Sequence, residues 1–479
     1  MSERTPSISV SRGQTHAGDG VADVMGLLYA LEAAGVLSLF ALYRLSAKAE
    51  PLASLLTVWG GLLIASVVSG AFLMWFVVRR CYQSQRAGSR AWMFGVASNV
   101  LVVSLLVLTT EVALRYLVVL KSYDEELGGF TLLPRQWRKV TAAYDAVLTK
   151  AESQPTYLVP DPTLGWTIAP SRKSENGMYL SSVEGLRSAE QGVSMKAEAA
   201  TCRIALIGDS FTFGETVPYA DTWGGILGSR LGGRCQILNF GVIGYGTDQV
   251  YLRYLKDVRP WHPDMVIFSF IDDDFRRAMS VYGFLTFPDG RFPFTKPRFI
   301  LKGDEPELLL PPLASPREPF ESASIHHLPG INYDVGYLPF EWDRAGWEWL
   351  ARSYILRFLV SVYPLHELER PEVSLRETLK LNGILIAKLR QSILADGAKP
   401  LIVFFPQRQY LERKALEGIG TQVLQREKLP YIDVAGCMHR SVHADLFNPD
   451  GHFSTHGNLR AADCLADDVK AALQPAVTR

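Results

Sequence analysis

The chain has 479 residues, 48% hydrophobic and 20% charged, with 49 basic side chains set against 49 acidic ones. A nucleic-acid binder would show a basic excess, and a disordered chain would pair low hydrophobicity with a large net charge; this composition excludes both. The length allows two or three domains and a large buried core.

Three apolar runs open the chain. Val24 to Tyr43 carries one charged side chain, Glu32; Pro51 to Val78 carries none; a third run extends from Ala91 to Thr110. About twenty apolar residues in a helix cross a hydrocarbon core of about 30 Å, so three transmembrane helices are expected. A cleaved signal peptide would be shorter, earlier and single. Glu32 would cost about 2.5–3.5 kcal/mol at mid-bilayer, so it reads either as a polar contact between helices or as the mark of a shallow first helix. Arg79, Arg80, Arg86 and Arg90, with no acidic residue among them, place the loop between the second and third runs in the cytoplasm. The N-terminus is then cytoplasmic too, and everything after about Leu120 faces outward; in a bacterium this means an inner-membrane protein with a periplasmic or extracellular C-terminal part. Glu111 and Arg115 stand four apart, a spacing that lets them pair on one helix face. The sequence thus divides into a membrane region (1–120), a linker and wrapping segment (121–200) and a main domain (201–479).

From Arg203 onward short apolar strands alternate with helices. Strands are expected at Arg203 to Ile207, Gln236 to Phe240, Met265 to Phe270, Leu401 to Phe405 and Tyr431 to Val434. Helices are expected around Trp223 to Leu231, Ser374 to Ala395 and Asn458 to Leu473. This rhythm predicts an α/β domain with a doubly wound, parallel, five-stranded sheet buried on both faces. The segment from Arg276 to Trp349, rich in proline and aromatics including Trp342, Trp347 and Trp349, lacks the periodicity of a regular element and is expected to form a lid or binding wall. Cys202 and Cys235 each open a strand and could form a disulfide in an exported domain.

Doubly wound sheets place their chemistry at the carboxyl ends of the strands. There stand Gly208-Asp209-Ser210, the turn Asn239 to Thr247, and Asp272-Asp273-Asp274; Asp450-Gly451-His452 precedes the last helix. Ser210, between a buried strand and a helix, can present its hydroxyl where backbone N–H groups face developing negative charge. A serine needs a base, for which His452 is the best candidate, and the base needs an orienter, for which Asp450 is nearest. His439, His443 and His456 read as bystanders, and Asp209 as a structural acceptor of backbone N–H groups. Carboxylates on adjacent strand positions alternate faces, and no histidine or cysteine lies close to the aspartate trio; no metal or cofactor is expected.

The motif Gly208 to Gly214 resembles the first block of the SGNH/GDSL hydrolase superfamily. Asn239 to Thr247 resembles its second block, with Gly244 at the glycine whose N–H meets the oxyanion, and Asp450-Gly451-His452 with Gly457 resembles its last. The order of membrane runs, an Asp161 to Trp166 segment and then the serine block is similar to exported, membrane-anchored members. The resemblance implies an SGNH/flavodoxin-like fold and a serine esterase or O-acyltransferase acting on acyl groups of a cell-envelope glycan or lipid, with the bilayer and a membrane protein as further partners and no nucleic acid. Catalysis would fall to Ser210, His452 and Asp450, and the oxyanion hole to Ser210 and Gly244. In the third block an asparagine normally completes that hole. Here Asp272 or Asp273 takes its place, and an ionised carboxylate can only accept hydrogen bonds. Either that aspartate is protonated, or another donor such as Arg276 substitutes, or the enzyme is weak. In the last block the acid usually lies three residues before the histidine, where this chain has Pro449. A contrasting reading is a catalytically degenerate protein that binds envelope polysaccharide or a protein partner.

Overall fold

The computed structural model describes residue 79 and residues 91–197, 202–288, 292–310, 312–346, 348–362, 370–412, 418–438 and 445–474. The first two apolar runs, Glu32 among them, lie outside these residues, as does Trp347. The chain divides into two compact units, residues 1–134 with 344–364, and residues 135–343 with 365–479.

In the first unit the third apolar run is helical from Ala91 to Leu117. Val100, Leu101, Val103, Leu105, Val107 and Leu108 on it are 40–61% exposed. Taken over the residues described, no helix is long and apolar enough to cross a membrane. A small antiparallel sheet follows, with β1 (Val119–Lys121), β2 (Asp124–Leu127) and β3 (Phe130–Thr131). Glu111 faces Arg115 at 3.3 Å, but it also accepts the backbone N–H groups of Tyr354 (2.8 Å) and Ile355 (3.1 Å), which open the helix Tyr354–Val362. A carboxylate at a helix N-terminus satisfies otherwise unpaired donors. Beneath it the buried Arg357 pairs with Glu125 at 2.5 Å and donates to the Leu132 carbonyl at 2.8 Å.

The second unit is built on a seven-stranded sheet. Its strands are β6 (Leu180–Ser181), β7 (Arg187–Ser188), β8 (Arg203–Ile207), β9 (Gln236–Asn239), β10 (Met265–Phe270), β13 (Lys399–Phe404) and β14 (Ile432–Asp433), in the order β14-β13-β10-β8-β9-β7-β6. The hairpins β4 (Leu158–Asp161) with β5 (Gly165–Ile168), and β11 (Arg298–Lys302) with β12 (Glu305–Leu310), stand apart from it. The five strands from β14 to β9 are parallel, as the alternation of elements predicts. The expected five-stranded sheet is extended by β7, antiparallel to β9, and β6, antiparallel to β7, both from the segment read as linker and wrapping; two-residue strands carry too little periodicity to be read from sequence.

Burial on both faces follows from alternation. Ala205, Ile207, Leu238, Val266, Phe268 and Phe404 point to one side, against the helices Thr247–Arg253 and Leu375–Ala395. Ile204, Leu206, Ile237, Met265, Ile267 and Val403 point to the other, against Trp223–Arg230 and Thr455–Leu473. Thr222, Ser374 and Ser454 cap three of these helices with their hydroxyls. Two disulfides, Cys202–Cys235 and Cys437–Cys464, tie the unit; the second joins a short helix to the last one, a proximity that strand periodicity does not reveal. The proline-rich insertion is more regular than expected, since it holds the β11–β12 hairpin. Trp342 lies buried against Trp137, with ring centres 6.1 Å apart, as core packing.

Candidate active site

Register brings the parallel strands to one edge. Leu206 pairs with Asn239, Phe268 with Ile207, and Phe270 with Phe404, so the turns after β8, β9 and β10 sit side by side. Gly208 opens the first turn with φ near 156°, and a Cβ there would stand 2.0 Å from Thr212 Oγ1 and 2.4 Å from the Ser269 carbonyl oxygen. Only glycine fits. Asp209 then caps the short helix Ser210–Phe213, accepting the Phe211 N–H at 2.9 Å. The second turn locks onto the first: Asn239 Nδ2 donates to the Thr212 carbonyl at 2.9 Å, and the Val242 N–H to the Gly208 carbonyl at 3.2 Å. Trp166 on β5 braces this turn, its Nε1 donating to the Ile243 carbonyl at 2.9 Å while Tyr245 Oη donates to the Trp166 carbonyl at 2.6 Å.

The structure brings Ser210, His452 and Asp450 together. His452 Nε2 lies 2.9 Å from Ser210 Oγ, and its Nδ1 lies 3.1 Å from Asp450 Oδ2. Ser210 is buried, whereas the Asp450 side chain is 46% exposed. A second carboxylate, not anticipated from the sequence, also meets the imidazole: Glu215 Oε2 stands 3.2 Å from Nε2. Burial pushes the Glu215 carboxyl up, against the pull of His452. Its signal was its place just past Gly214, a left-handed turn that folds the chain back toward the serine. With Asp450 holding Nδ1–H, a neutral imidazole accepts the serine proton at Nε2; once protonated, Nε2–H has Glu215 as a second acceptor.

The three aspartates have separate fates. Asp272 is turned to the helix Ile419–Arg426, where it accepts the Gly420 N–H at 2.9 Å; of the two oxyanion-hole candidates it is the one that faces elsewhere. The reason is that Asp272, Asp273 and Asp274 form the first turn of a helix, Asp272–Arg277, so their side chains fan out instead of alternating. Asp273 accepts from Gln407 Nε2 at 2.9 Å and lines a cavity of about 420 Å³ with Arg276, Arg277, Thr286, Phe287 and Val335. Asp274 is wholly buried and binds Arg277 Nη1 at 2.7 Å. Burial and the Asp209 carboxylate push its carboxyl well up. Arg277, not Arg276, is the arginine that reaches the serine turn: Nη1 also lies 3.2 Å from Asp209 Oδ2, which in turn is 3.3 Å from Ser210 Oγ. The ring of Phe287, on the cavity wall, also lies against Gly244, where a Cβ would meet it at 3.1 Å.

Burial, with a smaller push from Asp273, raises the Asp272 carboxyl to about 6. A carboxyl that binds its proton more tightly when folded gives stability below its unfolded value near 3.8, and this is lost as pH rises through about 6. An Asp272→Asn variant therefore unfolds at higher denaturant than the parent at pH 8, by about 1–2 kcal/mol after allowing for partial exposure, and matches it at pH 3.5. Equal differences at both pH values would refute this.

No family model matches the chain, and no curated protein matches it. Among solved structures it is similar in fold to one described as lipolytic and of the G-D-S-L family from Desulfitobacterium hafniense DCB-2, with 12% identity, 56% of this chain and 99% of that one covered, and a TM-score of 0.29. It is also similar to the lipase/acylhydrolase from Enterococcus faecalis (13%, 57% and 98%, TM-score 0.30) and to an acetyl-xylooligosaccharide esterase from Geobacillus Stearmophilus (12%, 56% and 94%, TM-score 0.27).

Proposed function

We propose that this chain is a membrane-anchored, outward-facing serine esterase or O-acyltransferase of the SGNH type, acting on ester-linked acyl groups of a cell-envelope glycan. The observation that carries the reading is the run Asp450–His452–Ser210, with both imidazole nitrogens at hydrogen-bond distance, 3.1 and 2.9 Å. Ser210 Oγ attacks the acyl carbonyl while His452 Nε2 takes its proton. The backbone N–H groups of Ser210 and Gly244 receive the oxyanion. His452 returns the proton to the departing alcohol as the C–O bond breaks, leaving an acyl-serine. Water then gives hydrolysis, or a sugar hydroxyl gives transfer, by the same steps in reverse.

The cavity beside the site favours a glycan over a lipid. Asp273, Arg276, Arg277 and Thr286 present donors and acceptors suited to ring hydroxyls, and Phe287 offers a face to sugar C–H groups. A long acyl chain there would strip water from the charged groups of Asp273, Arg276 and Arg277 and give no hydrogen bond in return. Export is supported by the two disulfides, which persist in oxidising compartments. Anchoring is supported by the three apolar runs and by the exposed apolar side chains of the Ala91–Leu117 helix.

The test is fluorophosphonate labelling of the full-length chain beside its Ser210→Ala variant. Labelling that disappears in the variant is the expected result. A folded parent that takes no label would favour the binding-only reading, which draws on the aspartate at the third-block position.

A further inference from the structure

The oxyanion hole outlined so far has two backbone donors, and the third-block position that would supply another is a carboxylate, Asp273, bound to Gln407. We propose that Arg277 is that third donor, reaching the oxyanion through the guanidinium edge formed by Nε and Nη2. This rests on the proposed serine chemistry. Three observations place the side chain. First, Arg277 Nη1 spans the two turns that carry the backbone donors: it lies 3.2 Å from Asp209 Oδ2, next to Ser210, and 3.5 Å from the carbonyl of Tyr245, next to Gly244. Second, every one of its contacts with acceptors among the described residues, Asp209, Asp274 and Tyr245, uses Nη1. A guanidinium has five N–H donors in a planar fork, so three remain on Nε and Nη2, and Arg277 is one of the residues lining the cavity. Third, its centre lies 5.3 Å from the ring of Phe287, and that ring packs on Gly244, so the guanidinium and the second backbone donor share one neighbour.

The surrounding charges suit this role. Asp209 stands 3.3 Å from the nucleophile and would repel a developing oxyanion if left unpaired. Arg277 pairs with it at 3.2 Å and so offsets that repulsion. The side-chain amides nearby are already engaged: Gln407 donates to Asp273 at 2.9 Å, Asn239 to the Thr212 carbonyl at 2.9 Å and Asn448 to Thr216 Oγ1 at 2.5 Å. Asp274 and Asp209 act as positioning residues, because they fix Nη1 and so aim the free edge.

A double-mutant cycle on the full-length chain tests the proposal, with kcat/KM for p-nitrophenyl acetate and the second-order rate of fluorophosphonate labelling as readouts. Arg277→Met is expected to lower both by about 100-fold, the usual effect of removing one oxyanion donor. Asp273→Asn puts an amide donor back at the third-block position, so in that background the same arginine substitution should cost about tenfold or less. Equal losses in both backgrounds would overturn the proposal and leave Arg277 a purely structural residue, as would no loss in either. If Arg277→Met fails to fold, Arg277→Lys runs the same cycle; one ammonium cannot hold Asp209 and also present an edge to the cavity, so the same inequality is expected at smaller size. A parent chain that takes no label overturns the serine chemistry and this role together, whereas a labelled parent with equal losses overturns this role alone.

Discussion

Ser210→Ala and His452→Ala should each reduce kcat on p-nitrophenyl acetate by about 10⁶-fold, and the double variant should be no worse than either. The expectation follows from the 2.9 Å contact between Oγ and Nε2, because neither group attacks or moves a proton without the other. Residual turnover would come from the backbone donors at Ser210 and Gly244 and from binding alone. Asp450→Ala should cost less, about 10²- to 10⁴-fold, since the carboxylate is half exposed and water can replace part of its hold on Nδ1. Steady-state rates on the three single variants and the Ser210–His452 pair decide the matter. A double variant slower than both singles by the product of their separate losses would show two groups acting independently, and the dyad would have to be abandoned.

Gly208→Ala should cost the fold about 3 kcal/mol and lower the melting temperature by roughly 10 °C. The added methyl would meet the Ser269 carbonyl, which belongs to the backbone of β10 and cannot turn aside, as well as Thr212 Oγ1. The conformation itself, with φ near 156°, disfavours any side chain. Thermal unfolding followed by circular dichroism measures the loss. A shift under 2 °C would mean that the first turn can open without disturbing β10, contrary to the packing described. Activity should fall further than stability, because the same turn aims Ser210 at His452.

The site was legible where local chemistry repeats along the chain. Gly208-Asp209-Ser210 after a buried strand, the glycine turn after β9 and Asp450-Gly451-His452 before the last helix each carry a backbone reason for their residue types, and these reasons survive without tertiary knowledge. Arg277 and Glu215 were not legible in the same way. Arg276 and Arg277 are equivalent in sequence, and only the start of the helix at Asp272, which rotates each side chain by about 100° from the last, gives the second arginine rather than the first to Asp209. Glu215 reaches His452 because Gly214 turns left-handed, across a sequence separation of more than two hundred residues. Cys437 and Cys464 stand only 27 residues apart, but they sit on two helices, and strand periodicity carries no sign that those helices meet. β6 and β7 were missed because two residues cannot show alternation.

Those two short strands decide where the second unit can be cut. β9 is closed on its outer side by β7, through the Arg187–Asn239 pair, and β6 then flanks β7. A fragment begun at the serine block would strip that cover from the Asn239 end of β9 and leave its outer rim as an open strand edge, a template for joining one copy to the next. The wrapping segment is in this sense a guard against self-association, and the unit begins well ahead of its first catalytic residue.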